Sequence, residues 1–112
     1  MKLPNVSRGP VMLLDIDYAE NLSEETFAFT AMISVDGVGS ARVSNDGRGG
    51  ENRVRDRLVL SGVERFAATL PPERAHGMTL PITADFLISL MVGDAIEKHD
   101  QQAQRAIERM AQ

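Results

Sequence analysis

The stretch Phe27–Val35, FAFTAMISV, alternates without a break: Phe27, Phe29, Ala31, Ile33 and Val35 fall on one side, and Ala28, Thr30, Met32 and Ser34 on the other. A period of two belongs to a strand with one buried face, whereas a 3.6-residue repeat would scatter these side chains around an axis. Asp36-Gly37 follows as a hairpin signal, and Gly39–Ser44 returns with Ala41 and Val43 as its apolar positions. A two-residue Asp36-Gly37 turn would set Ile33 opposite Ser40 and Ala31 opposite Arg42, with polar groups on the core face. A three-residue loop, Val35-Asp36-Gly37, with Gly37 in the left-handed position, predicts instead Ala31 opposite Ala41 and Phe29 opposite Val43. An antiparallel sheet built around this hairpin is the constraint that the rest of the chain must satisfy.

Further elements can be read on either side of it. Met12, Leu14, Ile16 and Tyr18 alternate with Leu13, Asp15 and Asp17, which predicts another half-buried strand, joined to the first by the polar connector Glu20–Glu25. Asn52–Leu60, with Val54, Leu58 and Leu60, reads as a less regular strand. Ser61-Gly62-Val63-Glu64 has the form of a capping box and predicts a helix start, with Val63, Phe66, Ala67 and Leu70 on one face and Pro71-Pro72 as its stop. A loop of turn residues runs on to Pro81-Ile82. Thr83 is then a plausible N-cap, with Asp85 favourable to the helix dipole, for the longest helical stretch in the chain. Phe86, Leu87, Leu90, Met91 and Ile96 form its apolar face, and Ala103, Ala106, Ile107 and Met110 continue the spacing past the polar patch Lys98–Gln102. The expected fold is α+β: a small antiparallel sheet of about three to four strands around a central hairpin, packed by two to three helices, the last one long.

The 112 residues set the scale at one domain, residues 1–112, with a single modest core. Cysteine is absent, which removes disulfides, thiolate metal sites and cysteine nucleophiles, and fits a reducing cytoplasm. No apolar run approaches the ~20 residues of a membrane span, so the expectation is a soluble, unexported protein without a membrane partner. The net charge of −4 is unevenly distributed. Asp15, Asp17, Glu20, Glu24 and Glu25 gather before the hairpin, and Arg42, Arg48, Arg53, Arg55 and Arg57 in its return strand and beyond. Arginine makes planar, bidentate contacts with carboxylates or phosphates, so this second cluster is a candidate grip for either.

Between these clusters lies SNDGRGGE, Ser44–Glu51. Asn45, Asp46, Gly47, Gly49 and Gly50 all favour left-handed or tightly turned backbone, so one reading is a bulged corner between strands. The other is a concave nest of backbone N–H groups beside Arg48 and Arg53 that holds an anion, with Arg55 and Arg57 extending the phosphate grip. The stretch lacks the Lys-Ser/Thr ending of a P-loop, and its single Arg-Gly-Gly carries little weight as an RNA-binding signal.

Catalytic chemistry finds few footholds. Asp15, Asp17 and Glu20 supply oxygen ligands for a cation but nothing completes the shell, so a solvated acidic face is the favoured reading. His76 and His99 have no partner at metal-binding spacing, no Gly-x-Ser-x-Gly occurs, and Tyr18, Phe27, Phe29, Phe66 and Phe86 all occupy core-type positions. The expectation is a protein that is not an enzyme and carries neither metal nor cofactor.

Glu20–Gly50 resembles a group of small proteins of bacteria, phages and mobile elements that share a Ser-Glu-Glu-Thr start, an F-x-A strand, a D-G hairpin and an N-x-G-x-G-G turn. Here these are Ser23–Thr26, Phe29–Ala31, Asp36-Gly37 and Asn45–Gly50. In size and setting the group is similar to anti-CRISPR and other anti-defence proteins. The resemblance implies a phage or mobile-element inhibitor of a bacterial immune complex, such as a CRISPR effector, acting in the host cytoplasm by occupying a protein surface. Its expected contact residues are Asp15, Asp17, Glu20, Glu24 and Glu25 with the Asn45–Gly50 turn. The alternative from a different class is a nucleic-acid or phosphate-binding accessory protein using Arg48, Arg53, Arg55 and Arg57. A third is an accessory structural or folding protein, and a homo-oligomer is compatible with any of these.

Overall fold

The structure, a computed structural model, describes residues 1–111. It is an α+β fold. One six-stranded antiparallel sheet comprises β1 (Lys2–Leu3), β2 (Val6–Arg8), β3 (Val11–Tyr18), β4 (Ala28–Val35), β5 (Gly39–Asp46) and β6 (Arg53–Val54). Then come helix α1 (Arg57–Ala67), a small separate hairpin of β7 (Glu73–Ala75) and β8 (Met78–Leu80), and the long helix α2 (Ala84–Met110). Strands β3, β4 and β5 form the middle of the sheet, and β1 and β2 pair in turn with successive stretches of β3.

That N-terminal edge is a hairpin the sequence reading passed over. Arg8 pairs with Val11, so Gly9-Pro10 is a two-residue turn, with Gly9 at φ 55° where such turns need a positive first φ. Arg8 also donates from Nε and Nη2 to the two carboxylate oxygens of Asp94 on α2, at 2.7 and 2.9 Å. This fork raises the Arg8 pKa above its ordinary value and fixes α2 to the sheet edge.

Strand β3 does not keep the alternation expected of it. A bulge falls between Leu14 and Asp17, where Asp15 takes φ 50°, and the inward-facing set changes parity across it. Val11 and Leu13 are buried before the bulge, and Ile16 and Tyr18 after it; Met12 is exposed and Leu14 half-buried on the far face. The single extra residue explains why a strict period of two misassigned the first half of the strand.

The central hairpin forms as expected, but its register is two residues away. The loop is Asp36–Val38, closed by Val38 N–H donating to the Val35 carbonyl at 3.0 Å, so Ile33 faces Ala41, Ala31 faces Val43 and Phe29 faces Asn45. A shift of two preserves which side chains face inward, so hydrophobic patterning could not detect it. The amide of Asp36 is instead held by the Pro10 carbonyl at 3.0 Å, a contact from the neighbouring hairpin.

Helix α1 starts earlier than its capping-box signal indicated. Asp56 is the N-cap, its Oδ1 accepting from the amides of Leu58 and Val59 at 2.9 and 3.0 Å, and Ser61 and Glu64 lie inside the helix. Only the earlier start puts Val59, Val63 and Ala67, all buried, on one stripe against the sheet. Asn52–Leu60 is accordingly a two-residue strand followed by a helix turn rather than one strand. Thr83 caps α2 as expected, accepting from Phe86 N at 3.1 Å. Helix α2 runs unbroken through Lys98–Gln102, with Leu87, Ile88, Met91, Val92 and Ala95 fully buried. Both helices cover the face of Leu13, Ile16, Ile33 and Val43 and close a single apolar cluster. Among the described residues, no helix is long and apolar enough to cross a membrane.

Candidate interaction site

The glycine turn touches the Ser-Glu-Glu-Thr turn. Strand β5 delivers Asn45 to the core side of the sheet, where it is buried yet fully bonded. Its Oδ1 accepts from Thr26 Oγ1 at 2.7 Å and from Gly47 N at 2.8 Å, while Nδ2 donates to the Gly50 carbonyl at 2.9 Å and to Asn52 Oδ1 at 3.0 Å. In return, the Gly47 carbonyl accepts from the successive amides of Glu24, Glu25 and Thr26 at 3.1, 3.0 and 3.4 Å. A nest of N–H groups does exist, but on the opposite loop, and its occupant is a carbonyl of the chain itself.

The amides of the glycine turn are likewise engaged internally. Gly47 N goes to Asn45, Arg48 N to Asp46 Oδ1 at 3.0 Å and Gly49 N to Thr26 Oγ1 at 3.3 Å. The geometry demands glycine at Gly47, where φ is 86° and a Cβ would collide with the Leu22 carbonyl oxygen and the Ala28 side chain. Of the two readings of the turn, the bulged corner matches its bonding, since these three amides are not free for an anion. The clasp continues through Asn52, whose amide donates to Asp85 Oδ1 at 2.7 Å and whose Nδ2 reaches the Asp85 carbonyl and Ser89 Oγ at 3.0 and 2.9 Å. From sequence, Asp85 stands out only for the helix dipole and Thr26 only as the end of the Ser-Glu-Glu-Thr start, and Asn52 and Ser89 carry no site role. The one local hint is Ser89, a lone hydroxyl in the apolar run Phe86–Val92.

The acidic residues are only partly gathered. Glu20, Glu24 and Glu25 line one cleft beside Tyr18 and Phe27, on the segment that the clasp holds. Asp17 lies on the exposed sheet face, where the N-terminal ammonium at 3.2 Å and Lys2 Nζ at 3.7 Å hold it. The hydrogen bond to the ammonium, and then its charge, keep the Asp17 carboxyl below the usual carboxylate range. Asp15 stands apart at the bulge and lines neither the Glu20–Glu25 cleft nor the groove next to it. Among the described residues no group of three metal-ligating side chains is close enough to hold an ion.

The arginines separate similarly. Arg48, Arg53 and Arg55 line one open groove of about 940 Å³ with Asn45, Asn52 and Glu51, and none of the three makes an ion pair among the described residues. Arg57, at the first turn of α1, is not part of it. Arg53 sits opposite Ser44, and Arg55 N donates to the Arg42 carbonyl at 2.9 Å, so the edge strand presents its basic residues beside Arg42. Comparison of the chain with protein-family models, with curated proteins and with solved structures gives no match.

Proposed function

We propose that the protein is a non-enzymatic binding module that occupies a surface of a protein partner. The partner class favoured by the Ser-Glu-Glu-Thr and Asn-x-Gly-x-Gly-Gly resemblance is a bacterial immune nucleoprotein complex, inhibited in the host cytoplasm in anti-CRISPR fashion. The observation that carries the reading is the placement of Glu20, Glu24 and Glu25 on a segment whose backbone amides are tied to Gly47, with no Lys or Arg paired to any of the three among the described residues. A pre-ordered acidic surface loses little entropy on docking and attracts the positive channels in which such complexes hold nucleic acid. Its charges act chiefly on the association rate. With Glu20, Glu24 and Glu25 changed to Lys in pairs, association with a purified effector complex should slow at low salt and lose its salt dependence, the fold being unchanged. Rates equal to wild type at both salts would overturn the reading.

The second reading rests on the groove of Arg48, Arg53 and Arg55, three guanidinium groups with no carboxylate partner among the described residues. It calls for oligonucleotide binding that weakens steeply with salt and disappears in the Arg53→Ala, Arg55→Ala protein.

A further inference from the structure

Tyr18 and Phe27 stand edge to face, ring centroids 6.0 Å apart and planes at 83°, where two clefts meet. One, of about 620 Å³, lies between the rings and α2 over Gly93 and Ile96; the other, of about 440 Å³, lies between the rings and the Ser23–Thr26 turn. The rim is acidic on both sides, with Glu97 and Asp100 on α2 and Glu20, Glu24 and Glu25 opposite. No Lys or Arg lines either cleft, and none pairs with these five carboxylates among the described residues. The floor is open at Gly93, where a Cβ would meet nothing within 4 Å. Along α2 the apolar line runs on from Ile96 through Ala103 to Ile107, which is 60% exposed, on the same side three turns later. Gly93 to Ile107 is roughly 21 Å of helix, and the part beyond Asp100 has no cover from the rest of the fold.

We propose that this joined cleft is a docking groove for a basic amphipathic helix of the protein partner. The inference rests on the reading that the acidic face meets a protein, and it adds what is recognised there. Apolar side chains at i and i+4 of the incoming helix lie over Gly93 and Ile96 against Tyr18 and Phe27, and those at i+7, i+11 and i+14 continue along α2 to Ile107, while its Lys and Arg meet the carboxylate rims. Gly93 lets the two helices approach closely. Charge selects the occupant. A second copy of this chain set cleft to cleft would bring the same carboxylate rims together, and nucleic acid or an anionic lipid surface would meet five carboxylates with which no Lys or Arg pairs among the described residues.

The test uses the full chain and a fluorescent peptide of about five helical turns with Leu at i, i+4, i+7, i+11 and i+14 and Lys elsewhere. Anisotropy should report saturable binding that weakens as salt rises. A peptide with Glu in place of every Lys should not bind, and one with Ala in place of every Leu should bind at least about tenfold more weakly. Gly93→Leu fills the floor with a better helix former, and Glu97→Lys with Asp100→Lys inverts one rim; each should weaken binding about tenfold or more with the thermal melt retained. Equal binding by the Leu-less peptide, indifference to Gly93→Leu, or no binding by the Leu–Lys peptide would each overturn the groove. An immune complex whose on-rate depends on Glu20 and Glu24 but not on Gly93→Leu would also overturn it, while leaving the acidic-face reading intact.

Discussion

At Gly47 a single residue joins two loops. Its positive φ and the Leu22 oxygen lying where a Cβ would stand make it intolerant of any side chain, and its carbonyl fills the amide nest of Glu24–Thr26. Gly50, three residues on, has no positive φ and open space around it. The two therefore separate, although they belong to one turn. Gly47→Ala should destabilise by about 2 kcal/mol or more, because left-handed strain adds to displacement of the Leu22 carbonyl. Gly50→Ala should stay within about 0.5 kcal/mol of wild type. Urea unfolding of both variants checks this, and equal midpoints would remove the special role of Gly47. Asn45 completes the logic, since its amide donates to two acceptors and its carbonyl accepts two donors, satisfying a buried side chain in full.

Local periodicity made some elements legible and left others hidden. Phe27–Val35, the Thr83 cap and the apolar face of α2 could be read because each is written within a few consecutive residues. The β3 bulge could not, since one inserted residue reverses the alternation without any compositional mark. The clasp escaped because its partners, Thr26, Asn45, Asn52 and Asp85, come from four separate segments, and only the folded sheet brings them together. The start of α1 was misplaced by a local signal that a stronger one outbid: Asp56 accepts two amides, while Ser61 and Glu64 lie beyond the first turn. Asp56→Ala should thus cost about 1 kcal/mol, and Ser61→Ala should cost nothing or stabilise slightly, alanine being the better mid-helix residue. The reverse order in thermal unfolding would restore the later helix start.

The whole molecule is less compact than its length requires, and the reason is α2. A chain of this size is expected to have a radius of gyration of about 13 Å. Here it is 14.9 Å, with the longest extent 47 Å. The 27 residues of α2 cover the core only as far as about Asp100; from Gln101 every described residue is exposed, and Met110 is 85% so. An unsupported helix of about ten residues is marginal in water, so this outer part persists only as a continuation of the buried part. Apolar side chains kept on such an arm, Ile107 and Met110, add nothing to the core and are available to a partner. Ending the chain after Gln102 should therefore shift the melting temperature by no more than about 2 °C, since a change of that size corresponds to well under 1 kcal/mol for a domain of this length. Helical ellipticity should fall, and amides beyond Gln102 in the full protein should exchange as a fraying end does. Binding of the Leu–Lys peptide should weaken, because the Ile107 section of the groove is gone while Gly93 and Ile96 remain. A melting temperature lowered by several degrees would mean that the arm packs on the body and is not held out for a partner.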